Sequence, residues 1–326
     1  MRRRGVVLVA DELRELAGDA PTWPGGLETI FFALSSGADS RTLPSAGEAV
    51  GLIPLVSLPV GEPLLEALPN LRIVANYGVG TDNIDLAAAA RRGVLVTNTP
   101  GVLTAATADL TWALLLAAAR RLREGLSLAA GGGWSGWRPT QLLGRGLQGR
   151  LLGILGAGRI GAAVARRAVG FGVRVGYWSR RAAPELEAET GAKRYETLET
   201  LLREADILSI HLPLTTETEG LIGARELAAM KTGAILVNTA RGAIVQPAAL
   251  AAALRSGHLA GAGLDVYPEE PGIPEELVDL PNAFLLPHLG SATWEARTEM
   301  WRLAAENVRR VLSGEPPLTP VGTPKS

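Results

Sequence analysis

Three histidines, His211, His258 and His288, are the side chains best suited to give up a proton near neutral pH in this chain. His258 stands in Ser256-Gly257-His258 and is expected to be a surface turn residue. His211 opens His211-Leu212-Pro213-Leu214-Thr215 at the end of an apolar run, where it is expected to line a ligand without acid–base work. His288 also ends an apolar run, in Leu285-Leu286-Pro287-His288-Leu289-Gly290-Ser291, and the glycine and serine beside it leave room for a ligand. Two charged residues follow neighbouring apolar runs. Arg241 lies in Asn238-Thr239-Ala240-Arg241-Gly242, and Glu270 in Asp265-Val266-Tyr267-Pro268-Glu269-Glu270-Pro271. A carboxylate beside an imidazole favours its charged form, and a guanidinium can hold a carboxylate and polarise a carbonyl. Reduction of a 2-keto acid needs such a set, together with a hydride donor fixed at the carbonyl carbon. Any one of these charges alone reads as a solvated loop residue; all three at successive strand ends read as a site.

The hydride donor has a candidate seat. Gly156-Ala157-Gly158-Arg159-Ile160-Gly161 is a G-x-G-x-x-G run that follows an apolar strand and opens a helix, the context a dinucleotide fingerprint requires. Gly156 permits a tight turn, Gly158 lets a pyrophosphate approach the backbone, and Gly161 allows the helix to pack on the strand. Free N–H groups at the helix start then bind phosphate. The next strand ends in Val175-Gly176-Tyr177-Trp178-Ser179-Arg180-Arg181, with no acidic residue between Gly161 and Glu185 to accept ribose hydroxyls. Ser179, Arg180 and Arg181 instead suit a 2′-phosphate. NADP(H) is therefore the expected preference, with NAD(H) possible.

These groups need a frame that brings distant segments to one edge. From residue 151 onward apolar runs alternate with helical segments. Strands are expected at 151–155, 173–178, 207–212, 234–239, 261–266 and 283–287, with helices from 159 and near 198–204, 225–230 and 248–256. Nearly continuous apolar strands between helices argue βαβ units and a doubly wound parallel sheet, covered on both faces. Strands at 6–10, 50–54 and 71–76 are expected in the first hundred residues, followed by a helix over 104–122 that ends in the dipole-matching Arg120 and Arg121. A final helix is expected over 291–312, then a loosely held Pro-rich tail from 314.

Length and composition agree with this plan. At 326 residues the chain is expected to form two domains. It is 47% hydrophobic and 20% charged with net charge −1, which asks for neither nucleic acid nor an anionic membrane. No cysteine is present, so disulfides, thiol nucleophiles and a cysteine-ligated zinc of the alcohol dehydrogenase type are excluded. No metal is expected. The apolar run after the basic start, residues 5–10, is shorter than the ~7–15 residues of a secretory leader, and the longest run, 112–119, is far below the ~18 of a spanning helix. A cytoplasmic location is expected. Only three of the 32 basic residues are lysine, which reads as codon bias.

At these motifs the chain resembles the D-isomer-specific 2-hydroxyacid dehydrogenases, and within them the glyoxylate/hydroxypyruvate reductase branch. The resemblance extends to Asn76-Tyr77-Gly78-Val79-Gly80-Thr81-Asp82-Asn83-Ile84-Asp85, Asn98-Thr99-Pro100-Gly101, Thr104-Ala105-Ala106-Thr107-Ala108-Asp109-Leu110 and Pro287-His288-Leu289-Gly290-Ser291-Ala292-Thr293. It covers nearly the whole chain, most loosely the first eighty residues. It implies a Rossmann cofactor domain, 100–289, inserted into a smaller flavodoxin-like lid of 1–99 plus 290–326, with the active site in the cleft between. It implies that Arg241 binds carboxylate and carbonyl, that His288 donates the proton and that Glu270 orients it. Backbone N–H groups around Val79 and Gly80 would hold the substrate carboxylate. The implied cofactor contacts are Thr107, Gly156, Gly158, Arg159, Ile160, Gly161, Ser179, Arg180, Arg181, His211, Pro213, Thr218, Thr239, Arg241, Asp265, His288 and Gly290, with Thr107 and Asp265 on the nicotinamide side. A homodimer is implied, the region after Pro100 wrapping the partner and Trp137 reaching the partner's site or packing in the interface. Gln246 and Ala105 stand where acidic residues are frequent in the family, away from this chemistry. The family's formate dehydrogenases carry an amide in place of Glu270, so the carboxylate argues against formate oxidation.

Alternatives within reach are fewer. Short-chain dehydrogenases need a Tyr and Lys four apart, and none of the four tyrosines has that partner. A phosphoglycerate dehydrogenase would need a cation for its substrate phosphate; residues 42–71 contain none, and an added regulatory domain is not expected after the final helix. A 2-ketogluconate-type enzyme remains open, as does a dinucleotide-sensing corepressor-like protein, which turnover would separate from an enzyme.

Overall fold

Short apolar runs become parallel strands in both parts of the chain. The computed structural model describes residues 5–18, 22–33 and 43–322, and divides into two units, Met1–Leu103 with Ala292–Ser326, and Thr104–Ser291. The sequence places the divisions after 99 and 289; the first falls later because residues 100–103 pack with the smaller unit and the long helix begins at Thr104.

The smaller unit holds β1 (Val6–Ala10), β2 (Glu28–Phe32), β3 (Ala49–Ile53), β4 (Ile73–Ala75) and β5 (Leu95–Thr97), all parallel, in the order β2-β1-β3-β4-β5. That order is flavodoxin-like. Two of these strands carry little sequence signal. β2 is an edge strand with only Phe32 buried, and β5 has three residues. The helix Trp294–Leu312 packs against β3 and β4 through Ala304, Val308 and Val311.

The tail after this helix is not loosely held, contrary to expectation, as far as residue 322. The buried Asn307 accepts the amides of Leu318 (2.8 Å) and Thr319 (3.2 Å) and donates to Thr319 Oγ1 (2.9 Å). Thr319 Oγ1 in turn donates to Asn98 O (2.6 Å), and the Val321 amide reaches Val96 O (2.8 Å). Proline cannot extend a helix, and here it feeds an extended segment along the open edge of β5, where the ladder still needs partners. Residues 323–326 of the predicted tail lie outside the described residues.

The larger unit carries β6 (Leu151–Leu155), β7 (Arg174–Trp178), β8 (Lys193–Arg194), β9 (Ile207–Ile210), β10 (Ala234–Asn238), β11 (Leu259–Leu264) and β12 (Ala283–Leu285). All are parallel, in the order β12-β11-β10-β9-β6-β7-β8. β6, β9 and β10 are buried along their whole length, as a sheet covered on both faces requires. The chain runs one way from β6 through β7 to β8 and the other way from β9 to β12. Its switch point lies between β6 and β9, where such sheets bind ligands at the carboxyl edge. The helix Thr104–Ala119 packs on β10, β11 and the helix Arg159–Ala168. It stops at Ala119 rather than at 122. Arg121 takes a left-handed backbone (φ 53°), a second helix Leu122–Ala130 starts after it, and its guanidinium pairs with Glu124 rather than capping the first helix. Among the described residues no helix is long and apolar enough to cross a membrane.

Asn307→Ala would leave two tail amides without their acceptor and should destabilise the smaller unit by about 1–3 kcal/mol. Hydrogen exchange at residues 318–321 checks this: faster exchange is expected, and unchanged protection would show that other contacts hold the tail.

Candidate active site

Adjacent strands β10, β11 and β12 release Arg241, Glu270 and His288 at one edge of the sheet. The turn after β10 is closed by the buried Asn238. Its side chain donates to Arg241 O (2.8 Å) and accepts the Ala240 amide (3.0 Å), fixing the backbone that carries the guanidinium. The next residue, Gly242, lies so close to the segment after β11 that a Cβ there would sit 2.0 Å from the carbonyl carbon of Tyr267. Only glycine allows the Arg241 and Glu270 segments to approach this closely. Glu270 is then held from its own side, accepting the Tyr267 amide at Oε1 (3.0 Å).

His288 has φ 55°, a left-handed conformation that a non-glycine residue adopts at a strain of roughly 1–3 kcal/mol. Its surroundings hold it there. The His288 amide donates to Asp265 O (2.9 Å), and the carboxylate of Asp265 accepts the next two amides, Leu289 at 2.6 Å and Gly290 at 2.7 Å. His288 Nδ1 meets Glu270 Oε2 at 2.6 Å. With Nδ1 engaged, Nε2 is the ring nitrogen left to serve a substrate.

The charges respond to this packing. Burial alone would raise Glu270, but the His288 hydrogen bond and charge, the Tyr267 amide and the Arg241 charge outweigh it and hold the carboxyl below its ordinary range. Glu270 thus feels both cationic partners and stays ionised at neutral pH. Asp265 is fully buried, and that burial, with the nearby Glu270 charge, pushes it up to about 6 against the pull of the two amides and His288.

This arrangement has counterparts in known proteins. Residues 112–290 match the model for "D-isomer specific 2-hydroxyacid dehydrogenase, NAD binding domain". A glyoxylate reductase of Thermococcus litoralis is 53% identical over 274 residues, covering 83% of this chain and 82% of that protein. The chain belongs to the D-isomer specific 2-hydroxyacid dehydrogenase family. Among solved structures, a protein from Thermus thermophilus superposes with TM-score 0.86 at 47% identity, covering 97% of this chain and 99% of that one. An NADPH-dependent glyoxylate/hydroxypyruvate reductase from Sinorhizobium meliloti, solved with NADP and malonate, does so with TM-score 0.87 at 36% identity, covering 98% and 97%. As a member of this family, the chain is an NAD(P)-dependent dehydrogenase.

The nicotinamide dinucleotide of this dehydrogenase family fits the residues at the β6–β9 switch point. Gly156 has φ 95°, and a Cβ at Gly161 would lie 2.1 Å from Gly156 O, so the turn and the helix close on each other through bare backbone. A Cβ at Gly158, by contrast, would meet nothing within 4 Å: that face is open to a pyrophosphate. Gly158 caps the helix Arg159–Ala168, whose first amides, including those of Arg159 and Ile160, have no intrahelical acceptor.

The remaining expected contacts fall into groups. His211 lies beside the glycine turn, its backbone carbonyl 2.7 Å from where a Gly156 Cβ would be, and its Nε2 pairs with Ser209 Oγ (2.8 Å). Burial lowers its pKa to about 3, so it is neutral and does no acid–base work at neutral pH. Thr107 packs against Gly290, and the buried Thr239 pairs through Oγ1 with Thr111 (2.9 Å), joining the Arg241 strand to the long helix. Pro213 and Thr218 form one turn, Thr218 Oγ1 donating to Pro213 O (2.7 Å) and accepting the Thr215 amide (2.8 Å). Ser179, Arg180 and Arg181 follow β7, and Trp137 stands 80% exposed on the segment after Ala130. His258, expected on a surface turn, has its ring on Leu227 O (3.0 Å) and no place in the site.

Val79 and Gly80 lie in the smaller unit. Their carbonyls are drawn inward, Val79 O by Asn98 Nδ2 (2.7 Å) and Gly80 O by the buried Asn76 Nδ2 (2.7 Å), which also pairs with Asn83. Among the described residues the amides of Val79 and Gly80 have no acceptor, the condition an anion-binding backbone requires. Sequence reasoning did not find the work of Asn76, Asn98, Asn238 or Gly242. It placed Asp265 on the nicotinamide side of the cofactor and did not find its hold on the His288 turn, where its carboxylate accepts the amides of Leu289 and Gly290. The asparagines stand in the quoted motifs, and a polar amide in an apolar run is the one signal available.

Because Asp265 titrates near 6 in the fold against 3.8 for the ordinary carboxyl, the folded chain keeps a proton that the unfolded chain has released between those values. Stability then falls as pH rises through that window. The unfolding free energy of the wild type minus that of Asp265→Asn should drop by about 2 kcal/mol from pH ~4 to pH ~6. Urea titrations across the window measure it, and a flat difference would contradict the burial of an ionising group.

Proposed function

We propose that this dehydrogenase reduces a small unphosphorylated 2-keto acid, glyoxylate or hydroxypyruvate, to the 2-hydroxy acid, the D-isomer where that carbon is chiral, with NADPH preferred over NADH. The observation that carries the reading is the 2.6 Å Glu270–His288 pair set beside Arg241 at the edge where the dinucleotide fingerprint opens. Bound at that fingerprint, the reduced nicotinamide supplies hydride to the carbonyl carbon. Arg241 holds the substrate carboxylate and draws electron density onto the carbonyl oxygen. His288 gives that oxygen a proton from Nε2, so hydride and proton together convert the carbonyl to an alcohol. Glu270, ionised throughout, keeps the ring oriented and steadies its charge. The amides of Val79 and Gly80 are assigned to the substrate carboxylate in the same scheme.

Substrate class follows from the similar reductases and from a lid sequence without a cation for a phosphate between residues 42 and 71. Cofactor preference follows from Ser179, Arg180 and Arg181. The loop has no carboxylate to accept ribose hydroxyls, and among the described residues neither arginine side chain makes an ion pair or hydrogen bond. The exposed Glu217, held low by its Thr215 hydrogen bond, also lies within the field of Arg180.

Dimer formation belongs to the same proposal. The helix Leu122–Ala130 buries none of its residues, and Leu126, Trp134, Trp137 and Leu143 stand 62%, 61%, 80% and 64% exposed. So much exposed apolar surface fits a second copy of the chain, with Trp137 reaching the partner's site. A cytoplasmic location, with its pool of reduced nicotinamide, suits such a reductase.

A panel of 2-keto acids, followed by nicotinamide absorbance with each cofactor, tests the assignment. Turnover of glyoxylate or hydroxypyruvate is expected, faster with NADPH. His288→Ala should lower kcat by roughly 10²–10⁴-fold while cofactor binding is unchanged. Absence of turnover with every 2-keto acid, or a variant that keeps most of its activity, would refute it.

A further inference from the structure

Three side chains tie down the flanks of the loop at residues 179–182. Arg194, exposed on β8, donates through Nη2 to Ser179 O (3.2 Å) and Arg180 O (3.3 Å). Tyr177, wholly buried on β7, accepts the Ala183 amide at its hydroxyl (2.9 Å) and donates that hydroxyl to Glu187 of the helix Pro184–Thr190. Burial, with Glu187 beside it, raises Tyr177 above its ordinary value, so the phenol remains the donor. Two carbonyls of the loop and the amide that follows it are thereby held. Among the described residues the amides of Ser179, Arg180, Arg181 and Ala182 have no acceptor. Unpaired backbone amides beside two guanidinium groups are the donor set that a phosphate monoester calls for.

We propose that Tyr177, Glu187 and Arg194 are positioning residues that set the preference for a 2′-phosphorylated dinucleotide by preorganising this loop, without touching the phosphate. The inference rests on the NADPH reading above. A loop already in its bound shape loses less conformational entropy on binding. NADH lacks the phosphate and gains nothing from the bracing, so the effect is confined to NADPH. A general weakening of the fold would act on both cofactors.

The test uses Arg194→Gln, at an exposed position, and Tyr177→Phe, which keeps the buried ring. For each, kcat/KM is measured with NADPH and NADH, and adenosine 2′,5′-bisphosphate and AMP are titrated calorimetrically. Each variant should lower kcat/KM for NADPH by about three- to tenfold through KM, as loss of a hydrogen bond or two predicts. Its kcat and its values with NADH should stay within about twofold of wild type, and the bisphosphate alone should bind more weakly. Equal losses with both cofactors, or none, would overturn the proposal; should Tyr177→Phe not fold, Arg194→Gln decides it. Arg180→Ala separates the two levels. A wild type that favours NADH removes the cofactor reading and this inference with it. A preference lost in Arg180→Ala but intact in both brace variants removes only the inference.

Discussion

The left-handed turn at His288 is the constraint around which the site is built. A β-carbon disfavours that conformation, and a free loop would relax out of it. Asp265 prevents this by accepting two successive amides with a carboxylate that burial makes uncomfortable when charged. Strain at one residue is thus balanced by a buried, hydrogen-bonded acid from the neighbouring strand. The result is an imidazole whose Nδ1 meets Glu270 and whose other nitrogen is left for chemistry.

Parallel topology supplies the convergence. β10, β11 and β12 are adjacent and run the same way, so groups at positions 241, 270 and 288 leave the sheet at one edge. Gly242 lets two of the three segments touch backbone to backbone, and Asn238 shapes the turn before it. The smaller unit uses the same device: the buried Asn76 and the half-buried Asn98 take up carbonyls so that amides stay available, at Val79 and Gly80. Charged side chains make up the proposed catalytic set, while neutral amide side chains shape the backbone that presents them.

Much of this was legible in the residues. Continuous apolar runs such as Leu151–Leu155 and Ala234–Asn238 can only be strands covered on both faces, and the glycine run between strand and helix identifies the cofactor turn. Arg241, Glu270 and His288 stood out because each follows such a run. Weak elements were missed where burial gives no pattern: β2 buries only Phe32, β5 is three residues long and β8 two. The tail was misjudged because proline content reports what a segment cannot form, not what it can lie against. The role of Asp265 was out of reach because its partners, the amides of Leu289 and Gly290, are backbone groups invisible in a sequence.

The central claim is that an ionised Glu270 tunes the proton donor through a direct hydrogen bond. The most direct measurement is the pH dependence of kcat/KM for keto-acid reduction in the wild type and in Glu270→Gln. The amide preserves shape but removes the negative charge that Glu270 brings to the hydrogen bond, so the alkaline limb should move to lower pH. A limb that stays where it is in the wild type would contradict the account.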